Sequence, residues 1–360
     1  MPPVLSPRTA RTVVTSLTRW FTGAARDLPW RRTRDPYAVW ISEIMLQQTQ
    51  VKTVIPYWER WMADLPDVAA LAAARPERVL KLWEGLGYYS RARNLQRAAQ
   101  AIVAAHGGRF PEAYDDVLAL PGIGRYTAGA VCSIAFHQPR PIVDGNVIRV
   151  LTRLLGIDGD PRTRPVNERL WQVADSLATT AGPTQCSALN QSLMELGALV
   201  CTPRQPQCEA CPVRRLCVAR RSGRIESLPA LPRRAAVTHR RCLAFVLERQ
   251  GKYLVRQRPD GTVNAGLWEF PNVDVGAEDC PGKTCHRLLG RPPDSLQPFT
   301  TVRHSITRYR ITLEAYRAGF PPRFLPRLPG GRWLALERLH GLAFTSAHRR
   351  VLRHLGTSAS

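Results

Sequence analysis

The chain has 360 residues, of which 44% are hydrophobic, so it has enough length and apolar material for two domains with separate cores. Lysine and arginine outnumber aspartate and glutamate by 51 to 28, and the formal charge of +23 favours a polyanionic partner such as nucleic acid. The sequence lacks both an apolar run that could span a bilayer and the apolar core of a signal peptide, so we expect a soluble, intracellular protein without a membrane partner.

Residues 8–217 are predicted to be mostly helical, because apolar residues recur at helical spacing between prolines and glycines. The clearest segments run from Val39 to Met62, from Pro76 to Trp83 and from Asn94 to Ala105. Glu43 stands inside the apolar stretch VWISEIML of the first segment. A helical glutamate is most often a surface charge. If Glu43 is buried instead, its pKa is raised and it can hold a proton near neutral pH.

Farther along the chain, the sequence Leu120-Pro121-Gly122-Ile123-Gly124 separates two helical stretches. Gly122 and Gly124 would allow a tight turn whose amides point outward at a helix N-terminus and bind a phosphate, although an ordinary helix–helix turn also fits. Asp144 follows in the loop sequence IVDGNV. A loop aspartate is usually just solvated, but one that follows a phosphate-binding turn is a candidate for chemistry.

Four of the nine cysteines, Cys201, Cys208, Cys211 and Cys217, form the spacing C-x6-C-x2-C-x5-C. In a reducing compartment this density indicates metal ligation rather than disulfides. A single C-x2-C pair favours an iron–sulfur cluster without excluding zinc, whose sites more often have two such pairs. We interpret the centre as structural. Its loop also carries arginines that would face phosphates, namely Arg204, Arg214 and Arg215.

Residues 218–238 are basic and contain proline without a periodic pattern, which predicts a linker. The remaining residues, 239–355, are predicted to form an α+β domain. The segments CLAFVLER and KYLVRQR flank Gln250-Gly251 and predict a β-hairpin. A further strand is predicted from Ile311, in ITLEAYRA.

The motifs LPGIGRYTAGA and PIVDGNVIRVLTR, followed by the four cysteines, resemble the endonuclease-III-like, helix-hairpin-helix superfamily of DNA glycosylases. Upstream, LPWRRTRDPYAVWISEIMLQQTQVKTVIPYWERW and LWEGLGYYSRARNL resemble its MutY branch, the adenine DNA glycosylases. The resemblance covers nearly all of residues 27–217. It implies a mainly α glycosylase domain (8–217) with one [4Fe-4S] cluster in the loop 201–217. It also implies base-excision repair of duplex DNA carrying adenine opposite 8-oxoguanine or guanine, by a monomer in the bacterial cytoplasm, associated with the nucleoid.

Carried over residue by residue, the resemblance assigns a general acid to Glu43 and a second carboxylate to Asp144, which would stay ionised beside the sugar cation. Tyr126 and Asn146 would orient Asp144 and the attacking water. The adenine pocket would contain Trp30, Arg31, Leu46, Val51 and Gln191. The residues expected to contact DNA, or to fill the gap after base flipping, are Gln48, Thr49, Leu86, Tyr88, Gly122 and Gly124. For Leu86 and Tyr88, packing in the core is the alternative.

Position 126 separates the subclasses of this superfamily, because members that also cut the strand have a lysine there. Tyr126, and Ile148 at another position where some members have lysine, predict base removal without efficient strand cleavage. The alternatives are a bifunctional pyrimidine glycosylase/lyase of the endonuclease III kind and a non-catalytic, cluster-containing DNA-binding protein.

The segment GLWEFPNV in the second domain resembles the sequence ahead of the Nudix signature of MutT-like hydrolases. The metal-binding acids of that signature are missing from AEDCPGKTCHRLLG, so pyrophosphate hydrolysis is not expected. In the MutY branch such a domain recognises 8-oxoguanine through a Phe-Ser-His triplet, where this chain has Ile306-Thr307-Arg308. Thr307 and Arg308 are expected to keep contacts with DNA, with less discrimination against adenine opposite guanine.

Overall fold

The computed structural model describes residues 5–232, 236–326 and 328–356. The chain divides into two compact units, which are considered separately below. One comprises Met1–Ala73 and Asn94–Arg233, and the other comprises Ala74–Arg93 and Arg234–Ser360. The segment Ala74–Arg93, which the sequence places in the helical domain, therefore belongs to the same unit as the C-terminal domain. Residues 233–235 of the predicted linker lie outside the described part of the chain.

Helices build the first unit. The first helix shows why: Ser6 caps it by accepting the amide of Thr9 (3.2 Å), Pro7 occupies its first turn, and its apolar stripe is buried. The helices between Pro7 and Arg221 are α1 Pro7–Ala24, α2 Pro36–Leu46, α3 Val51–Asp64, α4 Val68–Ala73, α5 Pro76–Leu82, α6 Ser90–His106, α7 Tyr114–Ala119, α8 Arg125–Ile134, α9 Gly145–Leu155, α10 Arg164–Leu199 and α11 Val218–Arg221. The last of these lies at the start of the segment 218–238 predicted as a linker, so the first four residues of that segment are helical. Short 3-10 helices span Pro29–Arg31 and Cys208–Ala210. Of these, α5 lies wholly in the second unit and α6 begins there.

Two helices differ from simple continuous segments. The predicted helix from Val39 to Met62 is wrong as a single element, because α2 ends at Leu46 and α3 begins at Val51. Gln48 lies between them with a φ of +57°, which a right-handed helix cannot contain. Helix α10 is divided in the same way at Gly182, whose φ is +62°, followed by Pro183. Helices α1, α8, α9 and α10 enclose a common apolar core.

The second unit contains two β-sheets with helices against them. One sheet has the order β5-β1-β7-β6, in which β1 and β7 are parallel, and in the other β3 pairs with β2, β4 and β8. The strands are β1 Thr238–Val246, β2 Glu248–Arg249, β3 Lys252–Gln257, β4 Trp268–Glu269, β5 Asn272–Val275, β6 Ser295–Ile306, β7 Tyr309–Gly319 and β8 Gly331–Ala335. The helices are α12 Pro281–Leu289, α13 Leu336–His340 and α14 Ser346–Gly356.

The predicted hairpin at Gln250-Gly251 forms, but its first strand is only the short β2, which pairs with β3. The main part of CLAFVLER, β1, pairs in the other sheet with β5 and β7. Both turn residues have positive φ, as a tight two-residue hairpin requires. The strand predicted from Ile311 lies within β7. None of the described helices is long and apolar enough to cross a bilayer.

Candidate active site

A cavity of about 500 Å³ in the first unit brings together side chains from widely separated segments. It is lined from the 3-10 helix at Pro29–Arg31, from α2 and the break that follows it, from α8, from the start of α9 and from the second half of α10. The predicted residues that line it are Trp30, Arg31, Glu43, Leu46, Gln48, Thr49, Val51, Tyr126, Asp144, Asn146 and Gln191. Its volume is in the range of small-molecule sites.

Glu43 is buried in this cavity, with only 4% of its surface exposed. Burial raises the pKa of Glu43 to about 7, although a hydrogen bond from Tyr126 opposes the shift. That bond runs from the Tyr126 hydroxyl to Glu43 Oε2 at 2.5 Å. The observed partner of Tyr126 is therefore Glu43, and the expected role of Tyr126 in orienting Asp144 and the attacking water stays a prediction. Burial, together with the carboxylates of Glu43 and Asp144, also raises the pKa of Tyr126, so the phenol stays protonated.

Asp144 caps the N-terminus of α9. Its carboxylate accepts the backbone amide of Val147 (2.7 Å) and the side-chain amide of Asn146 (3.1 Å). Burial raises the pKa of Asp144, and these two hydrogen bonds act in the opposite direction. Close packing fixes Asn146, because a Cβ at Gly197 on α10 would lie 2.6 Å from the Asn146 Cβ. The expected pairing of Asn146 with Asp144 is therefore present.

Glu195 is a pocket residue that the sequence analysis missed. It is 1% exposed and receives the Arg26 Nη2 (2.7 Å) and the Arg31 Nη2 (3.0 Å). Burial alone would raise its pKa, but the hydrogen bonds from Arg26 and Arg31 lower the pKa of Glu195 to about 2. The sequence signal for Glu195 is an acid within the apolar helical sequence SLMELGALV, the same pattern as at Glu43.

Other pocket residues have defined neighbours. The Trp30 ring packs edge-on against Trp58, with the centroids 6.1 Å apart. The Gln191 amide donates to the Ser187 hydroxyl at 3.2 Å. Arg31 is anchored further by a hydrogen bond to the Arg26 carbonyl at 3.0 Å. An apolar wall beside several fixed polar groups can hold a flat, hydrogen-bonding base.

The predicted phosphate-binding turn joins α7 to α8. Gly122 has a φ of +78°, and a Cβ there would lie 2.5 Å from Asn94, so glycine is required on both counts. Gly122 and Gly124 are both exposed, and Gly124 caps α8. The backbone thus presents a helix N-terminus to solvent, the arrangement that binds phosphate without reading sequence.

The remaining predicted DNA contacts belong to the second unit. Leu86 is only 6% exposed, which agrees with the core packing given above as the alternative, and its contact with DNA stays a prediction. Tyr88 is 48% exposed and has a φ of +47°. Thr307, with a φ of +51°, and Arg308 form the tip of the β6–β7 hairpin, where Arg308 lies over the Tyr309 ring at 5.2 Å.

The four predicted cysteine ligands line one small cavity together with Arg153, Arg214 and Arg220. In the described part of the chain, no three histidine, cysteine or acidic side chains converge as ligands of a single ion. The Arg153 Nη1 lies 3.6 Å from the Cys201 Sγ. Four thiols around a cavity lined by guanidinium groups fit an anionic metal–sulfur cluster. The thiolates of such a cluster bind different metal atoms, so they need not converge on one point.

Arg149 connects this loop with the active site. Its Nε donates to the carbonyl of Cys201 (2.7 Å), and its Nη2 donates to the carbonyl of Gly197 (2.7 Å) and to the Asn146 Oδ1 (2.9 Å). One side chain thus holds the first cysteine of the loop and the partner of Asp144.

Comparison with known proteins gives matches to both domains. Residues 41–176 match the HhH-GPD superfamily base excision DNA repair proteins, and residues 242–354 match the NUDIX domain family. The chain is 37% identical to the adenine DNA glycosylase of Rattus norvegicus over 401 aligned residues, covering 94% of this chain and 77% of that protein. It is 38% identical to the adenine DNA glycosylase of Homo sapiens over 402 residues, covering 94% and 73%. Among solved structures, a thermostable thymine-DNA glycosylase matches with a TM-score of 0.54 and 30% identity, over 59% of this chain and 97% of that one.

Proposed function

The chain belongs to the adenine DNA glycosylase family. From the geometry of its pocket we propose how it removes adenine, and which base opposite the adenine it prefers. It is a base-excision repair glycosylase that acts on adenine mismatches in DNA. The observation that carries the mechanism is the pair Glu43 and Asp144, which line one cavity and differ in surroundings. Glu43 is buried with a pKa of about 7, whereas Asp144 accepts two hydrogen bonds at a helix N-terminus.

In the proposed reaction the flipped adenine enters the cavity and Glu43 transfers its proton to a ring nitrogen of the base. The bond between that base and the sugar C1′ breaks, and the bonding electrons leave with the protonated purine. Ionised Asp144 stabilises the positive charge that develops on the sugar. Water adds to C1′, and the proton it loses returns to the Glu43 carboxylate. Replacing Glu43 by glutamine should lower the single-turnover rate at least about a hundredfold while duplex binding persists.

The enzyme is proposed to be monofunctional, because the group facing Glu43 is the Tyr126 phenol and not an amine. Forming a Schiff base with the sugar requires a nucleophilic amine. Borohydride should therefore trap no covalent DNA adduct with the natural protein. Strong trapping would contradict the proposal and favour the bifunctional alternative, and Tyr126→Lys provides the matched positive control.

The proposed substrate is duplex DNA with adenine opposite 8-oxoguanine, and secondarily opposite guanine. The adenine DNA glycosylases align over 94% of this chain, which therefore includes the C-terminal domain, whereas the thymine-DNA glycosylase matches only 59% of it. Rates of adenine release from duplexes with 8-oxoguanine, guanine or cytosine opposite test the preference. Release of thymine instead of adenine would overturn the proposed substrate.

For the cysteine loop we propose a [4Fe-4S] cluster with a structural role, held by Cys201, Cys208, Cys211 and Cys217. The shared cavity and the adjacent guanidinium of Arg153 support this donor set. When bound, the cluster would fix a loop that also carries exposed arginines. The purified protein should be brown, with broad visible absorption, and Cys208→Ser should weaken that absorption. A colourless protein containing one zinc per chain would contradict it.

We also propose that the protein acts as a monomer on DNA in the cytoplasm. The charge of +23 would favour its association with the nucleoid. Gel filtration coupled to light scattering would test the monomer, and fluorescence microscopy of the tagged full chain would test the location.

A further inference from the structure

The segment Ala74–Arg93 carries the loop that the sequence analysis predicted to enter the duplex, and it lies in one compact unit with the C-terminal domain. We call residues 83–89 the wedge loop. Its internal contacts are tight: the Trp83 Nε1 donates to the Gly87 carbonyl (3.0 Å), and the Gly85 amide donates to the Tyr89 hydroxyl (3.1 Å). A loop tied together in this way will move as a body.

Glu84, at the start of the wedge loop, is the anchor to the C-terminal domain. Its side chain is 8% exposed, and its Oε1 accepts the backbone amide of Phe344 at 2.8 Å. Its Oε2 receives the Lys81 Nζ (2.9 Å), which also donates to the Leu342 carbonyl (2.9 Å). Arg349 adds a hydrogen bond to the Glu84 carbonyl at 3.2 Å. The bonded residues of the segment and of the C-terminal domain are more than 250 positions apart in the sequence, so these are tertiary contacts.

The segment that Glu84 holds is itself fixed in the C-terminal domain. Phe344 is fully buried, stacks near Phe270 at 5.7 Å and bridges to Trp268 in β4. Arg349 belongs to α14, which packs against β6. The next residue on that helix, Arg350, donates to the carbonyl of Arg303 in β6 at 3.3 Å.

Strand β6 ends at Ile306, where the hairpin tip with Thr307 and Arg308 begins. A continuous series of contacts therefore runs from the wedge loop through Glu84 and α14 to the tip that is proposed to read the base opposite adenine. A rigid helix between two sites can transmit a displacement, because packed elements shift as units.

We propose that Glu84 is a positioning residue that couples the β6–β7 hairpin tip to the wedge loop, so that recognition of the opposite base aids extrusion of adenine. This inference rests on the proposed preference for 8-oxoguanine. Its physical basis is that a buried carboxylate holding a main-chain amide is difficult to replace, since its loss leaves donors without partners.

The test compares the full-length natural protein with Glu84→Ala, Glu84→Gln and the control Glu168→Ala, which removes an exposed acid on α10. Single-turnover adenine release is measured on duplexes with 8-oxoguanine or guanine opposite. For Glu84→Ala the rate with 8-oxoguanine opposite should fall about tenfold more than the rate with guanine opposite, so that the ratio of the two rates falls about tenfold. Glu84→Gln can still accept a hydrogen bond from the Phe344 amide, so its ratio should lie between those of Glu84→Ala and the natural protein. The ratio of the control Glu168→Ala should equal that of the natural protein.

A second measurement separates coupling from general damage. In a background in which Ile306, Thr307 and Arg308 are all replaced by alanine, the hairpin tip can no longer read the opposite base. There, Glu84→Ala should lower the ratio further by less than about twofold. An equal loss on both duplexes, an unchanged ratio, or a full tenfold loss in this triple-alanine background would each overturn the inference. If Glu84→Ala does not fold, Glu84→Gln and Arg349→Ala carry the same comparison.

The controls also separate this inference from the proposed function. A natural protein that releases no adenine from either duplex contradicts the proposed function itself. Equal rates on the two duplexes would overturn both the 8-oxoguanine preference and the coupling, and would leave adenine release standing. A natural preference that survives Glu84→Ala overturns the coupling alone.

Discussion

The Tyr126 hydroxyl donates a hydrogen bond to Glu43 Oε2, so the phenol on α8 stabilises the ionised form of the carboxylate on α2. This bond opposes burial, which is the larger effect and raises the pKa of Glu43 to about 7. Tyr126 thereby keeps the proton of Glu43 transferable near neutral pH.

Replacing Tyr126 by phenylalanine should move the pH profile of adenine release to higher pH. The natural protein should be fastest below about pH 7 and slow down as Glu43 loses its proton. Without the hydroxyl, the pKa of Glu43 rises further, and the alkaline limb moves in the same direction. Since the acid is retained, the rate on the acidic plateau should fall by no more than about tenfold. Single-turnover rates across the pH range check this, and an unmoved alkaline limb would count against it.

Glu43→Gln should stabilise the protein increasingly as pH rises. The folded pKa of about 7 is above the ordinary value of 4.5, so the unfolded chain gives up this proton at lower pH than the folded protein does. The contribution of Glu43 to the free energy of unfolding is fully present below about pH 4.5. It falls by about 3 kcal/mol as the pH rises to about 7. Glutamine has no such loss. The unfolding midpoints of the two proteins should therefore diverge between about pH 5 and about pH 8. A constant difference would show that Glu43 is not buried in its charged form.

The local patterns make Glu43 and Asp144 only candidates, because a helical glutamate is most often a surface charge and a loop aspartate is usually solvated. The resemblance to the glycosylases assigns their roles. The same kind of pattern occurs at Glu195, but its partners Arg26 and Arg31 are distant in sequence and cannot be inferred from the pattern. The break after Leu46 left no glycine or proline signal, since Gln48 adopts the positive φ. The burial of Leu86 and the Glu84–Phe344 hydrogen bond depend on tertiary packing, which periodicity does not encode.

Glu195→Gln should destabilise the first unit and weaken binding of adenine at the same time. The carboxylate holds both Arg26 and Arg31, and breaking a buried ion pair typically costs about 3 kcal/mol. The pKa of Glu195 is about 2, so this stability is present above its ordinary pKa and is lost only as pH falls toward about 2. Thermal unfolding at neutral pH checks the first effect.

Loss of the Glu195 charge should also free Arg31 in the pocket. Affinity for a duplex with a non-cleavable adenine analogue should then fall, while the maximal single-turnover rate changes less. Glu168→Gln, at an exposed ion pair, is the matched control. A loss confined to the maximal rate, with affinity intact, would place Glu195 in the chemistry instead of in base binding.

Arg149→Gln should lower the rate of base release more than it lowers DNA affinity. The guanidinium holds Asn146 at 2.9 Å, and Asn146 in turn holds Asp144 at 3.1 Å. Displacing Asn146 should cost about tenfold in rate through misplacement of the carboxylate. The same variant loses the bond to the Cys201 carbonyl, so its visible absorption tests whether the cysteine loop is disturbed as well. An unchanged rate would show that Asp144 is held sufficiently by the Val147 amide.

Changing Ile306-Thr307-Arg308 to Phe-Ser-His should sharpen the preference for adenine opposite 8-oxoguanine over adenine opposite guanine. Thr307 holds a positive φ that is strained for a β-branched residue, and its hydroxyl is bonded to the Ile306 carbonyl at 2.8 Å instead of being directed to a ligand. Arg308 shares the Tyr309 ring with Arg240, which lies 4.0 Å from it, so the tip presents positive charge suited to phosphate. Charge of this kind strengthens binding to any duplex and does not read a base.

The triple variant should therefore bind undamaged DNA more weakly, with a shallower salt dependence, and its ratio of single-turnover rates should rise about tenfold. Arg308→His alone should reproduce the change in salt dependence without the full gain in the ratio, since the aromatic and serine positions are still absent. A triple variant with the natural ratio would show that the hairpin tip does not set the preference. Discrimination between opposite bases would then have to come from the adenine pocket around Glu43 and Arg31. Rates of adenine release by Glu195→Gln from duplexes with 8-oxoguanine, guanine or cytosine opposite would test that.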